Sequence, residues 1–136
     1  MVNIFTDGAS RGNPGKSACS FLILDNNKEI ATGSRYLGIA TNNVAEYSAI
    51  LDALIYCKNH DYLILGDKHH IVSDSKLVIN QLTGEYKLNN SNLKKIYDEI
   101  KSLIDPNIII EYKWVPRTDE LIKKCDKLNN KTLDKY

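Results

Sequence analysis

Three strand-like runs follow one another at the start of this chain, with no room for a helix between them. Val2 to Thr6 is a short apolar run, Ala18 to Leu24 a second, and Glu29 to Leu37 a third with looser alternation. Asp25-Asn26-Asn27 is a turn. Asp7-Gly8-Ala9-Ser10-Arg11-Gly12-Asn13-Pro14-Gly15 reads as a loop dense in turn formers. A parallel connection needs about a dozen residues or more, usually a helix, so runs joined this closely predict an antiparallel meander.

After Leu37 the apolar period changes. Thr41-Asn42-Asn43 is a helix start signal, and Tyr47, Ile50, Leu51, Leu54 and Cys57 then recur at helical spacing. His69 to Ser73 reads as a strand, and Asp74 to Leu82 as a short helix stopped by Gly84. Leu93, Ile96, Tyr97, Ile100, Leu103 and Ile104 form an apolar stripe that ends before Pro106. Ile108 to Val115 is the last strand. Thr118 to about Leu133 is the last helix, with Leu121, Ile122, Cys125 and Leu128 inward. The order βββαβααβα predicts an α/β fold, with three strands antiparallel and two more reached by helical crossovers. At 136 residues, with no repeat or linker-like stretch, a single domain over 1–136 is expected.

That element order gives certain acids a reason to meet. Asp7 stands where the first strand is expected to end, and Asp74 where the fourth ends. On adjacent parallel strands both would emerge at the carboxyl edge of the sheet, where open α/β sheets bind ligands. Glu46 lies on the helix face shared by Ile50, Ala53, Leu54 and Cys57, an expensive place for a charge unless something compensates it. Asp126 borders the apolar stripe of the last helix. Taken singly, each is more often a turn residue or a cap: Asp7 precedes Gly8, and Asp74-Ser75 precedes a helix. Together, carboxylates at these places form a site that repels itself and that a divalent cation, Mg²⁺ above all, would neutralise.

Bulk properties narrow the rest. A net charge of +1 argues against a binder driven by charge alone, though an acidic metal site can mask lysines that line a groove. No apolar run is long enough to span a bilayer. Met1-Val2-Asn3-Ile4-Phe5 lacks the basic and apolar regions of a signal peptide, so a cytoplasmic or nuclear protein is expected. Cys19, Cys57 and Cys125 share no metal-ligand spacing and sit in apolar stretches, so buried thiols are expected. Gly12-Asn13-Pro14-Gly15-Lys16-Ser17 ends like a phosphate-binding loop. Ser10 stands where that motif needs glycine, and a strand follows where it needs a helix. His69 and His70 read as strand-edge residues. Trp114 and the tyrosines read as core or groove wall.

Phe5-Thr6-Asp7-Gly8-Ala9-Ser10 with Asn13-Pro14-Gly15, Thr41-Asn42-Asn43-Val44-Ala45-Glu46-Tyr47, Ser73-Asp74-Ser75, Trp114-Val115-Pro116-Arg117 and Cys125-Asp126-Lys127-Leu128 together resemble ribonuclease H, type 1, over nearly the whole chain. The resemblance implies a five-stranded mixed sheet with helices on both faces. It also implies endonucleolytic cleavage of the RNA strand of an RNA–DNA hybrid, leaving a 5′-phosphate and a 3′-hydroxyl. Two Mg²⁺ ions, or Mn²⁺ in their place, would be held by Asp7, Glu46, Asp74 and Asp126. The partner expected is the hybrid duplex, with the protein a monomer. Gly8, Ala9, Ser10, Arg11, Gly12 and Asn13 would line the minor groove with Asn42 and Asn43. There 2′-hydroxyls distinguish RNA from DNA. Thr41, with Asn89 beside it, would grip a DNA phosphate, and Ser75 would add a contact. Asn42 or Asn43 reads equally well as the helix cap. The loop histidine of many members is missing from Pro116 to Lys124, and Arg117 is the expected substitute as a phosphate contact. The basic helical handle of some members is also missing, so hybrid affinity would rest on Lys87, Lys94 and Lys95 and be salt-sensitive.

Overall fold

A computed structural model describes residues 1–136. The elements in chain order are β1 (Val2–Gly12), β2 (Gly15–Asp25), β3 (Lys28–Ala40), α1 (Asn42–Asn59), β4 (Lys68–Ser73), α2 (Lys76–Leu82), α3 (Ser91–Leu103), β5 (Ile109–Trp114) and α4 (Glu120–Leu133). The five strands form one sheet in the order β3-β2-β1-β4-β5. β1, β2 and β3 pair antiparallel, and β4 runs parallel to both β1 and β5. The α/β class and the mixed sheet expected from the sequence are those of the structure.

Side chains alternate across a strand, so directly opposed residues share a face. Ile4, Phe21, Ile23 and Ile71 project to one face. They pack with Tyr47, Ile50, Ala53 and Leu54 of α1 and with Leu93 and Ile100 of α3. α4 lies on the other face, where the Ser20 hydroxyl donates to the Cys125 carbonyl at 2.7 Å. All three cysteines are buried and unpaired. No helix is long and apolar enough to cross a membrane.

Several local expectations are corrected. Gly8 to Gly12 is not a loop: β1 continues to Gly12 and pairs with β2 out to Gly12↔Gly15, leaving only Asn13-Pro14 as the connection. Gly8 carries no side chain because α1 crosses directly over it. A Cβ on Gly8 would strike the backbone of Ala45 and Glu46, so what looks like turn composition is a close-packing requirement. Asp7 therefore stands within β1 rather than at its end. β3 runs to Ala40, past the expected Leu37.

The cap of α1 is Thr41, whose side-chain oxygen accepts the Val44 N–H at 3.2 Å, rather than Asn42 or Asn43. Ser75 caps α2, so Asp74 lies outside that helix in the gap between β4 and α2. Asp119 caps α4, whose fully buried positions are Ile122, Cys125, Asn129 and Leu133; Leu121 and Leu128 are half-buried.

His69 is not at an edge, because β4 lies between β1 and β5. Its ring is wholly buried, with the Val2 N–H 3.0 Å from Nδ1 and the Ile64 N–H 3.1 Å from Nε2. Burial holds its pKa below the ordinary value. His70 is half-buried and bonded to Glu111 at 2.9 Å.

Candidate active site

β1 pairs with β4 only from Asn3↔His70 to Phe5↔Val72. Past Phe5 it continues alongside β2 alone, while the chain leaving β4 turns into α2. The gap that opens between them is the site. Asp7 enters it from β1, Asp74 from the end of β4, and Glu46 from the first turns of α1. One carboxylate oxygen from each lies within 4.8 Å of the others. Asp7 and Glu46 are buried and Asp74 is half-buried. Asp126, on the exposed side of α4, borders the same cleft without joining that trio at ligand distance; its Oδ2 accepts from Asn130 at 3.4 Å.

The cleft is walled by the β1 backbone from Gly8 to Ser10, by Asn42, Asn43 and Ser75, and by Trp114, Pro116 and Arg117. Trp114 donates its indole N–H to the Asp74 carbonyl at 2.9 Å, tying the rim of β5 to the strand end that carries a carboxylate. Lys76 sits over the indole ring, 4.5 Å from its centroid. Trp114 is thus half groove wall and half tether.

Other residues expected to touch substrate are placed differently. Arg11 turns away and donates to Asp134 at 2.6 Å, beside Gly12 at the far end of the hairpin. Asn13 also lies outside the cleft, but its Oδ1 accepts the Asn42 N–H at 3.1 Å and braces the N-terminus of α1. Thr41 uses its hydroxyl oxygen as the cap. Asn89 lies in the exposed segment between α2 and α3, off the cleft wall, and Lys94 is paired with Asp98 at 2.9 Å. Asn129 was not among the expected residues. It is fully buried, and its Nδ2 lies 3.3 Å from the Asp7 carbonyl and 3.4 Å from Asp7 Oδ2. A polar residue at the helical spacing of Ile122, Cys125 and Leu133 is the signal that would have found it.

The electrostatics are those of a crowded acidic pocket. Burial pushes the Asp7 carboxyl up to about 8; the charges of Asp74 and Asp126 add to the rise, and Glu46 and Arg117 oppose it. Burial also drives Glu46 well above its ordinary value, followed by the charges of Asp7 and Asp74. Asp74 is raised by burial as well, with Arg117 the strongest opposing influence.

Glu46 Oε2 is buried without a hydrogen-bond partner. A carboxylate oxygen in that position is costly unless a proton or a cation meets it. The donors are all carboxylate oxygens, the chemistry of a hard divalent ion. The residues present therefore fit a divalent metal site.

A pH dependence follows. Asp7 titrates near 8 when folded and near 3.8 otherwise. Between those values the folded state holds a proton that the unfolded state has released. Stability conferred by the protonated form is thus complete below about pH 4 and declines as pH rises toward 8, with a slope of up to about 1.4 kcal/mol per pH unit for one proton. Thermal melts in EDTA should fall in midpoint across this window, and millimolar Mg²⁺ should flatten the upper half. A flat profile in EDTA would contradict the raised carboxyl.

Comparison with known proteins agrees with this construction. The family model described as reverse transcriptase-like matches residues 5–125. The bifunctional protein Rv2228c of Mycobacterium tuberculosis is 35% identical over 136 residues, covering 98% of this chain. This chain spans only 35% of that relative's length. A ribonuclease H of Actinobacillus pleuropneumoniae is 31% identical over 151 residues, covering 98% of this chain and 94% of its own. Among solved structures, LC11-RNase H1 in complex with RNA/DNA hybrid superposes with a TM-score of 0.90 at 31% identity, covering 99% of this chain and 98% of the other. With the family model reaching over most of the sheet and helices, and a ribonuclease H matched almost end to end, this chain belongs to the ribonuclease H family.

Proposed function

We propose that this chain is an endoribonuclease that hydrolyses the RNA strand of RNA–DNA hybrids with two bound divalent ions, Mg²⁺ or Mn²⁺, leaving 5′-phosphate and 3′-hydroxyl ends. The observation that carries the reading is the convergence of Asp7, Glu46 and Asp74 in a half-enclosed cleft, with Glu46 Oε2 unpartnered. Support also comes from the ribonuclease H relative and from the solved neighbour that holds an RNA/DNA hybrid.

Asp7 from β1 and Asp74 from just past the end of β4 would hold the ions, with Glu46 and Asp126 completing the set from two helices. When bound, the ions activate the attacking water and stabilise the leaving oxygen. The chain's own part is binding and orientation. The open β1 backbone at Gly8 to Ser10 lets a duplex approach without side chains in the way. Asn42 and Asn43, at the N-terminus of α1, offer amides to the minor groove, where 2′-hydroxyls are read. The Thr41 hydroxyl, while its oxygen caps the helix, keeps its own proton to give to a phosphate. Arg117, the cation that most offsets the charge on Asp74, would hold the scissile phosphate.

The test is direct. Labelled RNA–DNA hybrid, double-stranded RNA and double-stranded DNA are incubated side by side with Mg²⁺ and with EDTA. Only the RNA strand of the hybrid should be cut, and only with metal. Cleavage in EDTA, or equal cleavage of another duplex, would overturn the assignment.

A further inference from the structure

Asn129 is the one wholly buried amide on α4, and the direction it faces can be deduced. The two Asp7 atoms nearest its Nδ2, the carbonyl oxygen at 3.3 Å and Oδ2 at 3.4 Å, are both acceptors. Only the NH₂ end of an amide can face such a pair. The other end, Oδ1, is then forced into the protein, where it is buried with no donor. A side chain wanted only to fill that space, between Cys125 and Leu133 against the sheet, would be apolar and would leave nothing orphaned. Asn129 instead keeps an unsatisfied carbonyl in order to aim an N–H at a carboxylate.

We infer that Asn129 is a positioning residue for the metal site: its amide fixes the rotamer of Asp7 that keeps a carboxylate oxygen within 4.8 Å of those of Glu46 and Asp74. This rests on the metal-dependent reading above and deepens it. Asn129 touches neither substrate nor ion and works through Asp7. Partners of this kind orient first ligands, and their loss characteristically weakens metal affinity. The interaction also spans 122 residues of sequence, so it joins the last helix to the first strand at the ligand itself.

The experiment measures Mn²⁺ binding to the full chain by calorimetry, beside thermal melts in EDTA, for the wild type, Asn129→Ala and Asn129→Leu. The second variant keeps a branched side chain in the space in case the first loses packing. Both variants should bind Mn²⁺ about 10-fold more weakly, while their melting midpoints in EDTA stay level or rise, because the orphaned carbonyl is gone. A merely structural role predicts the reverse, a lower midpoint with unchanged Mn²⁺ affinity in the folded protein, and that result overturns the inference. No Mn²⁺ binding by the wild type would instead overturn the metal reading, and this inference with it.

Discussion

Asp7→Asn should abolish hybrid cleavage while making the metal-free protein harder to unfold. The two effects have one cause. Burial and the charges of Asp74 and Asp126 push the Asp7 carboxyl up to about 8, which favours its neutral state. Asparagine mimics that neutral state permanently. Without metal the substitution removes the cost of the buried charge, so the gain in stability should grow from about pH 4 to pH 8 at up to about 1.4 kcal/mol per pH unit. At pH 4, where wild-type Asp7 is already protonated when folded, that gain should shrink toward nothing. Turnover moves the other way. An amide is a poor ligand for a hard cation, and Asp7 is the carboxylate that approaches both Glu46 and Asp74. A fall of at least about 10³-fold is expected, equivalent to about 4 kcal/mol of barrier. Paired melts at pH 4 and pH 8 and single-turnover cleavage measure both arms. A variant that keeps more than about a tenth of the rate, or that melts lower at pH 8, would remove Asp7 from the role given to it.

Gly8→Ala should cost both stability and turnover. The added Cβ would collide with the carbonyl carbon of Ala45 and the nitrogen of Glu46, and would lie 2.6 Å from the Ala45 oxygen. These are backbone atoms of a helix, so no rotamer change relieves the overlap; α1 itself must move. Overpacking of this kind costs up to about 3 kcal/mol, which for a chain of this size lowers the melting midpoint by about 10 °C. The functional loss should exceed the stability loss. Glu46 is carried on the very peptide that is pushed, and a displacement of about 1 Å at a ligand can cost about 100-fold in rate. Gly84→Ala is the informative control. Gly84 has φ +86 but nothing near its missing Cβ, so that variant should lose stability through backbone strain and keep its turnover at temperatures where it is folded. Equal loss of activity in both variants would point to general destabilisation rather than displacement of α1.

The same glycine shows where sequence reading succeeds and fails. Strand and helix order was legible because burial imposes periods of two and of three to four on the apolar residues. Asp7, Glu46, Asp74 and Asp126 were legible as a group because two were expected near strand ends at one sheet edge, Glu46 lies on a buried helix face and Asp126 borders the stripe of the last helix. Gly8 to Gly12 was misread because small residues serve turns and close packing equally, and nothing local in the sequence shows a helix crossing from forty residues away. The capping of α1 by Thr41 instead of an asparagine was a choice among three adjacent candidates, settled by where β3 releases the chain. Arg11 was drawn into the site by its neighbours, yet it lies further along the same strand face, and there its side chain reaches Asp134 just past α4. Asn129 was hidden by its stripe: the apolar spacing marks the position as inward, and only the fold reveals that the inward direction there ends on a carboxylate.

α4 has a consequence for how this protein comes to life. It carries Asp126 and Asn129, and it docks by bonds such as Ser20 to Cys125 on strands synthesised long before it. Local contacts can assemble β1, β2 and β3 early, but closing the loop back to Asp7 waits for almost the whole chain. A nascent or partly folded polypeptide would hold β1 and the Asn42-Asn43 corner before its last carboxylate and its amide are in place. Turnover then reports on completion of folding, and specific activity becomes a measure of the fraction of molecules in which the final helix has docked.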